Sequence, residues 1–394
     1  MKLTKTAWKI FYLYACFMTR IGRILHKKIH RVSIRKILVI RLHGIGNMVL
    51  AMPALTALRR GYPKAEITVM VSDVLAWEIC SISDLADGMV YYKYGDELDF
   101  SFLNKIWSAD FDLVVFLYPM EVVDLPLLMS ASRIRYRVGY KNRVKGNLYT
   151  HFIDAQGRRS EADLNLDIAC LAGGKRSNDM ESLHPVETGG KEIIDRLMAS
   201  GGKKIDFIII IHPGSKPFKR WPIERFAQLC DRFIEDLGAN VIIVGGSEEI
   251  ELGRDIASLM VKKPICAAGK LSLLQTVEIV GRSRLFVGND SGLMHIAAAI
   301  GTPTVVIFGP TDPIKNRPLG NPDIVQILTS RLACSPCYRD GEVSCIYDEY
   351  RCLEDILVDS VFSQAARLLE LQAKEKKTPI RCAGKDFNHR SRPC

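Results

Sequence analysis

The sequence lacks any hydrophobic run of the length, about 20 residues, that a membrane-spanning helix needs. The apolar stretch over residues 10–18 is too short, and no small-residue cleavage site follows it, so a secretory signal peptide is not expected either. The composition, 48% hydrophobic and 25% charged, is typical of a globular protein. At 394 residues the chain is long enough for two domains.

Acidic residues are missing from the first 36 positions, although these positions hold ten lysines and arginines. They account for the whole net charge of +10, because the rest of the chain carries equal numbers of basic and acidic residues. Drawn as a helix, the segment has an apolar face and a basic face, made respectively by Trp8, Phe11, Tyr12, Ala15, Met18, Thr19 and Gly22 and by Lys5, Lys9, Cys16, Arg20, Arg23 and Lys27. We predict a basic amphipathic arm over residues 1–35 that lies on an anionic membrane surface, with packing on the protein's own surface as the alternative.

Histidine is absent from the one segment in which cysteines cluster. Cys334, Cys337, Cys345 and Cys352 have the spacing C-x2-C-x7-C-x6-C, of which only the first pair matches a zinc knuckle. A structural metal, a pair of disulfides and free thiols all remain open for these four residues. A catalytic metal is not expected, because no histidine accompanies the cluster.

Short apolar runs alternate with helical patterns along most of the chain. The runs at residues 36–42, 67–71, 113–117, 207–211, 241–244, 285–287 and 304–308 are typical of buried parallel strands. A polar, glycine- and serine-rich stretch over residues 173–190 indicates a linker between two such series. We predict an α/β fold of two Rossmann-like, doubly wound parallel-sheet domains facing across a cleft, over residues 36–185 and 186–372, followed by a basic disordered tail over residues 373–394.

Two turns between a strand and a helix have residues that suit a phosphate group. Asp290, Ser291 and Gly292 lie where free backbone N–H groups and the positive end of a helix dipole would meet an anion. The ordinary alternative is a helix N-cap. The loop over residues 43–47 is also rich in glycine, but it does not have the G-x-G-x-x-G spacing of a dinucleotide site.

Basic residues crowd the segment from Arg133 to Lys145, where they either bind an acidic ligand or form a solvated strand edge. Arg135, Arg137 and Arg143 belong to this segment, and Arg41 is a further candidate in the first half of the chain. No recognisable nucleic-acid motif accompanies these cations, so nucleic acid is not an expected partner.

Four motifs occur in order: R-L-H-G-I-G-N-M-V-L-A-M-P-A-L from Arg41, H-P-G-S-x3-K-R-W-P from His212, V-G-G-S-E from Val244 and G-N-D-S-G-L-M-H-I-A-A-A-I-G-T-P from Gly288. Together they resemble glycosyltransferase family nine, the ADP-heptose:lipopolysaccharide heptosyltransferases, over residues 36–369. The resemblance implies the GT-B fold, with the acceptor on the N-terminal domain and a nucleotide-sugar donor on the C-terminal domain. With an acceptor on the N-terminal domain, we predict that it is bound by Arg41, Arg135, Arg137 and Arg143. It also implies a metal-independent, inverting transfer without a cofactor.

The reaction implied by the resemblance moves a heptose or a related sugar from a nucleoside diphosphate, such as ADP-heptose, to the inner core of lipopolysaccharide or a related lipid-linked saccharide. Such an enzyme would work in the cytoplasm, peripherally at the inner face of the cytoplasmic membrane. A catalytically silent relative that binds nucleotide sugar or a lipopolysaccharide precursor as a scaffold is the alternative.

The resemblance also assigns roles to residues of the C-terminal half. Lys219 and Ser215 would hold the donor phosphates, with Lys219 neutralising charge on the departing diphosphate. Glu248 would accept hydrogen bonds from the ribose. The pyrophosphate and sugar would be lined by Asp290, Ser291, Gly292 and Leu293, and His295 would either contact the donor or brace this loop.

One residue departs from the family pattern. Asn47 stands where family members carry the aspartate that removes the acceptor hydroxyl's proton, and an amide cannot accept that proton. A positioned general base contributes about 100- to 10,000-fold to a rate. His43, in the same loop, is the candidate substitute. Asn47, His43 and Lys219 are therefore the predicted catalytic positions.

Overall fold

The computed structural model describes residues 12–377, apart from positions 18, 22–23, 25–27, 30–32, 43, 94–99, 119–123, 131, 133, 142–147, 155–156, 178–182, 184–186, 200–206, 340–341 and 348. The residues so described form two six-stranded sheets and a two-stranded one. His43 and Arg143, both singled out from the sequence, lie outside them.

The first sheet is built from the N-terminal half of the chain by the strands β1 (Lys36–Ile40), β2 (Glu66–Val71), β3 (Gly88–Tyr91), β4 (Leu113–Phe116), β5 (Tyr136–Lys141) and β6 (His151–Asp154). The helices in this half are α1 (Ile45–Gly61), α2 (Val74–Ser81), α3 (Phe100–Ser108), α4 (Asp124–Ser130) and α5 (Glu161–Leu171). All six strands are parallel, in the order β3-β2-β1-β4-β5-β6. This is the strand order of a doubly wound Rossmann sheet.

The second sheet repeats this plan with the strands β7 (Ile208–His212), β8 (Asn240–Ile243), β9 (Ile265–Cys266), β10 (Leu285–Asn289), β11 (Thr304–Ile307) and β12 (Val325–Leu328). Its strands are again all parallel, in the order β12-β11-β10-β7-β8-β9. The accompanying helices are α6 (Gly190–Ala199), α7 (Ile223–Leu237), α8 (Ile250–Leu259), α9 (Leu273–Arg282) and α10 (Gly292–Ala299). The predicted fold class of two Rossmann-like parallel-sheet domains is confirmed.

The central strand β7 shows how the cores are divided. Its residues alternate between the two faces of the sheet, as the period of two in a strand requires. Ile209 and Ile211 belong to a core that includes Phe226 of α7. Ile208 and Ile210 belong to a larger core that also contains β1. Apolar packing therefore continues from one domain into the other.

The two domains are also joined by polar contacts on one flank. Arg158 donates to both carboxylate oxygens of Asp312, with Nε–Oδ2 and Nη2–Oδ1 distances of 2.7 and 2.9 Å. Burial would raise the pKa of Asp312, but the hydrogen bonds from Arg158 and from the backbone N–H groups of Ile314 and Lys315 together outweigh burial and lower that pKa. The backbone N–H of Glu161 donates to the carbonyl of Lys315 at 2.9 Å. These bonds hold the end of the first domain against the loop after β11.

The C-terminal part of the chain adds a hairpin and two helices to the second domain. The hairpin consists of β13 (Tyr338–Arg339) and β14 (Glu342–Val343), and the helices are α11 (Arg351–Glu354) and α12 (Val358–Lys377). α12 packs on α7 and on the sheet through residues such as Val361. It continues to Lys377, past the predicted start of the tail at residue 373, because alanine, lysine and glutamate favour a helix.

The part of the N-terminal arm that the structure describes is helical over residues 12–17 and 19–21. Ala15 and Thr19 are fully buried, and Ala15 packs against Leu127 and Leu148 of the first domain. These two residues belong to the face that we predicted would contact a membrane, so at these positions the alternative, packing on the protein's own surface, is correct. Within the ranges given above, no helix is both long and apolar enough to span a membrane.

Candidate active site

A cleft of about 870 Å³ lies where the carboxyl ends of both sheets meet. The first domain lines it with residues 44–47, after β1, and with Asp73, after β2. The second domain contributes residues after β7, β8 and β10. Parallel strands bring their carboxyl ends to one edge, which is where doubly wound sheets bind ligands.

Asp290, at the wall of this cleft, accepts hydrogen bonds from three side chains. It is 3% exposed, and its Oδ2 accepts hydrogen bonds from Lys219 Nζ at 2.7 Å and from Thr311 Oγ1 at 2.6 Å. Its backbone carbonyl accepts one from Ser215 Oγ at 2.7 Å. Asp290 thus fixes the lysine and the serine that the sequence assigned to the donor phosphates.

Lys219 has spare hydrogen-bonding capacity at the wall of the cleft. Its side chain is 17% exposed, and its Nζ lies 5.5 Å from the centre of the Tyr338 ring. An ammonium group has three donors, and the bond to Asp290 uses one of them. The others can reach an anion in the cleft.

The N-terminus of α10 opens into the same cleft beside Lys219. Ser291 is its N-cap residue, but the serine side chain makes no capping bond to the helix. Instead Ser291 Oγ pairs with Nδ1 of His212 at 3.2 Å. The first N–H groups of α10 are therefore left for another acceptor, and a phosphate oxygen fits that role.

Two buried histidines border this helix start. Burial, with a smaller contribution from the nearby Arg220, lowers the pKa of His212 to about 4. Burial also lowers the pKa of His295 to about 4, with opposing influences from Asp290 and Lys219. His295 Nδ1 is buried without a hydrogen-bond partner among the residues that the structure describes. Both imidazoles are neutral at pH 7, so neither adds positive charge to the cleft.

The donor-side and acceptor-side loops touch through two glycines. A Cβ on Gly46 would lie 2.8 Å from Cδ2 of His295, and a Cβ on Gly292 would lie 3.1 Å from Cβ of Ile45. Real Cβ contacts are rarely this close, so both positions need glycine. The start of α1 is thereby held directly against the start of α10.

Comparison with known proteins now identifies the family. The model described as glycosyltransferase family 9 (heptosyltransferase) matches residues 137–347. This chain belongs to glycosyltransferase family 9.

Relatives of known name and structure agree with this assignment. Lipopolysaccharide heptosyltransferase 3 of Escherichia coli is 26% identical over 71% of this chain and 85% of its own length. Lipooligosaccharide heptosyltransferase 2 of Haemophilus ducreyi is 27% identical over 85% of this chain and 99% of its own length. The structure of E. coli ADP-heptose lps heptosyltransferase II superposes with a TM-score of 0.68 at 22% identity, over 86% of this chain and 99% of that one. A family 9 glycosyl transferase from Veillonella parvula gives a TM-score of 0.70 at 24% identity, over 87% and 99%. The GT-B fold is therefore confirmed.

The remaining donor-side positions of the family motif also lie at the cleft. Glu248 is exposed at its wall, in the turn after β8. The neighbouring Glu249 is not available in the same way, because its Oε2 accepts the backbone N–H of Gly246 at 2.7 Å. Leu293 and Gly292 line the cleft at the start of α10. Glu248 therefore keeps the open carboxylate that contact with a ribose requires.

Arg41, Arg135 and Arg137, three of the predicted acceptor arginines, do not line the cleft, and the fourth, Arg143, lies outside the described residues. Arg41 is 1% exposed, and its guanidinium donates to the carbonyls of Asn47 and Tyr118 at 2.9 and 2.5 Å and pairs with Glu161. The partners of this guanidinium all lie inside the first domain, and its bond to Asn47 holds the segment after β1 in place. Arg41 is thus a structural residue in this geometry, not one that faces an acceptor.

Arg137 is likewise directed into the protein. It is 5% exposed and donates to the carbonyls of Ile134 and Leu148 and, at 3.1 Å, to Thr19 Oγ1 of the arm. Its place on β5 explains this, since successive side chains of a strand alternate between faces. Arg135 is exposed but is not among the residues that line the cleft.

The four cysteines of the C-x2-C segment come into one neighbourhood. Burial raises the pKa of Cys352 to about 11, with smaller contributions from the thiols of Cys337, Cys345 and Cys334. All four are free thiols. Across the described ranges, no group of three or more side chains is arranged to hold a metal ion. The geometry of this segment thus gives no support to a structural metal site.

Asp73 was missed by the sequence reasoning, although its side chain lies at the cleft. It belongs to none of the four motifs, and its position after an apolar run is the only sequence signal that could have marked it. Thr311, the third partner of Asp290, was missed for the same reason.

Proposed function

We propose that this protein is an inverting heptosyltransferase that takes heptose from a nucleoside diphosphate, ADP-heptose by preference, and transfers it to lipopolysaccharide inner core or a related lipid-linked saccharide. The observation that carries the proposal is the pairing of Lys219 with Asp290 beside the open N-terminus of α10. A cation and free backbone donors meet there, as a departing diphosphate requires.

The bond changes follow from this arrangement. The acceptor oxygen forms a bond to the anomeric carbon on the face opposite the diphosphate, and the bond from that carbon to the phosphate oxygen breaks. The electron pair leaves with the diphosphate, whose growing negative charge is met by Lys219 and the first N–H groups of α10. Such preorganised charge stabilisation is usually the largest contribution to a rate.

Purified protein, ADP-heptose and a panel of truncated lipopolysaccharide acceptors test this proposal. We expect one heptose to be added to at least one acceptor, and the anomeric configuration of the product to be inverted relative to the donor. Other nucleotide sugars are tested as donors with the same acceptors. Transfer from one of them, with none from ADP-heptose, would refute the choice of donor.

A second candidate function rests on Asn47. The protein could bind the nucleotide sugar without transferring it, because the amide at this position cannot act as a base. The same experiment separates the two functions: a silent relative binds ADP-heptose tightly, as calorimetry would register, and yields no glycosylated product with any acceptor.

We also infer that the protein works in the cytoplasm at the inner face of the membrane, held there by its N-terminal arm. While Ala15 and Thr19 face the protein, Leu13 and Phe17 are 67% and 61% exposed. These two residues and the exposed Arg20 are spaced to share one helix face. Apolar side chains flanked by cations suit an anionic lipid surface.

A further inference from the structure

Asp73, after β2, brings a carboxylate to the cleft that Asn47, in the first turn of α1, also lines. β1 and β2 are neighbours, with Ile40 opposite Met70, and the N–H of Arg41 continues the ladder by donating to Met70 at 3.0 Å. The segments that follow β1 and β2 therefore leave the sheet at the same level. Asp73 follows Met70 by three residues, much as Gly44 follows Ile40 by four.

The two oxygens of Asp73 have different surroundings. Oδ1 accepts the backbone N–H of Leu75 at 2.9 Å, so it caps α2 and fixes the orientation of the carboxylate. Oδ2 lies 3.6 Å from the position that a Cβ on Gly44 would occupy. No residue described by the structure donates a hydrogen bond to Oδ2. One oxygen is thus anchored and the other borders the loop after β1.

The same loop adjoins the donor side of the cleft. Ile45, the residue after Gly44, contacts Gly292 at the first turn of α10. The ion pair of Lys219 with Asp290 lies at the same helix start. Asp73, Asn47, Lys219 and Asp290 all line the one cleft. A hydroxyl bound against residues 44–47 would meet Asp73 on one side and the sugar donor on the other.

We propose that Asp73 is the general base of this enzyme, an inference that rests on the proposed transferase function. Oδ2 takes the proton of the acceptor hydroxyl as its oxygen bonds to the anomeric carbon, and the electron pair of the breaking carbon–oxygen bond leaves with the diphosphate. Asp73 then carries the proton, which it releases to solvent. Asn47 has no carboxylate, and Asp73, which follows the neighbouring strand β2, supplies one instead.

Asp73→Asn tests this role without removing the helix cap, because asparagine caps a helix as well as aspartate does. We expect turnover with ADP-heptose to fall by about 100- to 10,000-fold, while ADP-heptose affinity and the thermal midpoint stay close to those of the wild type. Asp231→Asn is the matched control. Like that of Asp73, its carboxylate accepts hydrogen bonds from the backbone, here from the N–H groups of Val261 and Lys262, but it is not among the residues that line the cleft. We expect it to leave turnover unchanged.

Rescue distinguishes a base from a residue that merely shapes the loop. Adding Asn47→Asp to Asp73→Asn returns a carboxylate to the same cleft, and we expect it to recover at least tenfold of the lost rate. The acid limb of the rate against pH, present in the wild type, should vanish in Asp73→Asn and return in the double variant.

The competing bases are tested in parallel. His43→Ala removes the imidazole that precedes Gly44 in the sequence, and Glu78→Gln removes the carboxylate of Glu78 in α2. A wild-type rate retained by Asp73→Asn, with loss in either of these variants, overturns the inference and leaves the transferase function standing. A wild type that binds ADP-heptose but transfers nothing to any acceptor overturns both.

Discussion

At the scale of single residues, Lys219 and Ser215 are both held by hydrogen bonds to Asp290, and Lys219 is the one whose loss is simplest to test. Lys219→Ala should weaken ADP binding by about 10- to 100-fold, because a hydrogen bond to a charged group contributes about 1.5–3 kcal/mol. Adenosine, which has no phosphate, should bind almost unchanged. Isothermal titration of both ligands measures the difference.

Lys216→Ala is the control for this substitution, since Lys216 is exposed three residues earlier and is not among the residues that line the cleft. Because Lys219 also neutralises the buried Asp290, the thermal midpoint of each variant must be recorded alongside. An equal loss of affinity for ADP and adenosine would contradict the assignment of Lys219 to the phosphates.

For single residues, the sequence predicted correctly which residues of the local motifs lie together. Ser215, Lys219, Asp290 and Ser291 lie together, as their positions after neighbouring strands indicated. The partners of a long side chain are set by the tertiary fold instead. Arg41 was predicted to face the acceptor because nothing near it in the sequence marks Glu161, 120 positions away, as its partner.

Between elements, the contact of α1 with α10 leaves no room for a side chain at Gly46. Gly46→Ala should push the two helix starts apart, because the added Cβ would lie 2.8 Å from the His295 ring. We expect heptosyl transfer to fall at least tenfold while ADP binding, which uses the second domain, changes less. The comparison of kcat with ADP affinity provides the measurement.

Gly88→Ala in β3 serves as its control, since a Cβ there meets no atom nearer than 3.9 Å. It should leave both transfer and ADP binding as they are. Full activity in Gly46→Ala would show that the glycine contact has no part in aligning the two domains.

The junction of the linker with α9 depends on one buried carboxylate, Glu278. Burial would raise its pKa, but the backbone N–H groups of Thr188 and Gly190 outweigh this and lower it to about 2. A lowered pKa contributes stability that is present above the unfolded value, near 4.5, and is lost as the pH falls towards 2. Glu278→Gln should therefore destabilise the protein by about 2–3 kcal/mol at pH 7 and by less than half as much at pH 3.

Urea unfolding at the two pH values tests this, with Glu235→Gln as the comparison. Glu235 pairs with Lys262 at the surface, where its side chain is 51% exposed, so its loss should change little at either pH. A Glu278→Gln effect of the same size at pH 7 and pH 3 would contradict the linkage.

The elements that the sequence predicted are those with uninterrupted apolar runs, such as β1, β7 and β11. β5 and β6 were not predicted, because tyrosines, arginine and histidine interrupt their apolar pattern. β5 is nevertheless buried along most of its length, since Arg137 finds carbonyl partners inside the domain. Burial of a paired charge is a tertiary property that a period of two in hydrophobicity cannot reveal.

For the whole molecule, the proposal to test is that the N-terminal arm attaches the protein to a membrane. The double variant Leu13→Ser, Phe17→Ser removes exposed apolar side chains without touching the buried Ala15 face. We expect it to reduce binding to vesicles of phosphatidylcholine and phosphatidylglycerol at least tenfold, because each buried methylene contributes about 0.8 kcal/mol. Wild-type binding should weaken in high salt. Flotation of the vesicles measures both effects.

Leu259→Ser, Val261→Ser is the matched control, because these two residues are also exposed but belong to the second domain. Vesicles of phosphatidylcholine alone test the need for anionic lipid. Equal binding by the wild type and the arm variant would refute the proposed attachment.

One apolar core passes from β1 into one face of the second sheet, so buried side chains of the two halves pack against each other. Because a large hydrophobic interface couples the stability of two domains, we expect the two halves to unfold together. A destabilising substitution deep in either half therefore lowers the amount of native protein as a whole, and donor and acceptor sites are lost together. Inherited variation in this core would change how much enzyme a cell holds, while the choice of sugar and acceptor would be altered only from the cleft.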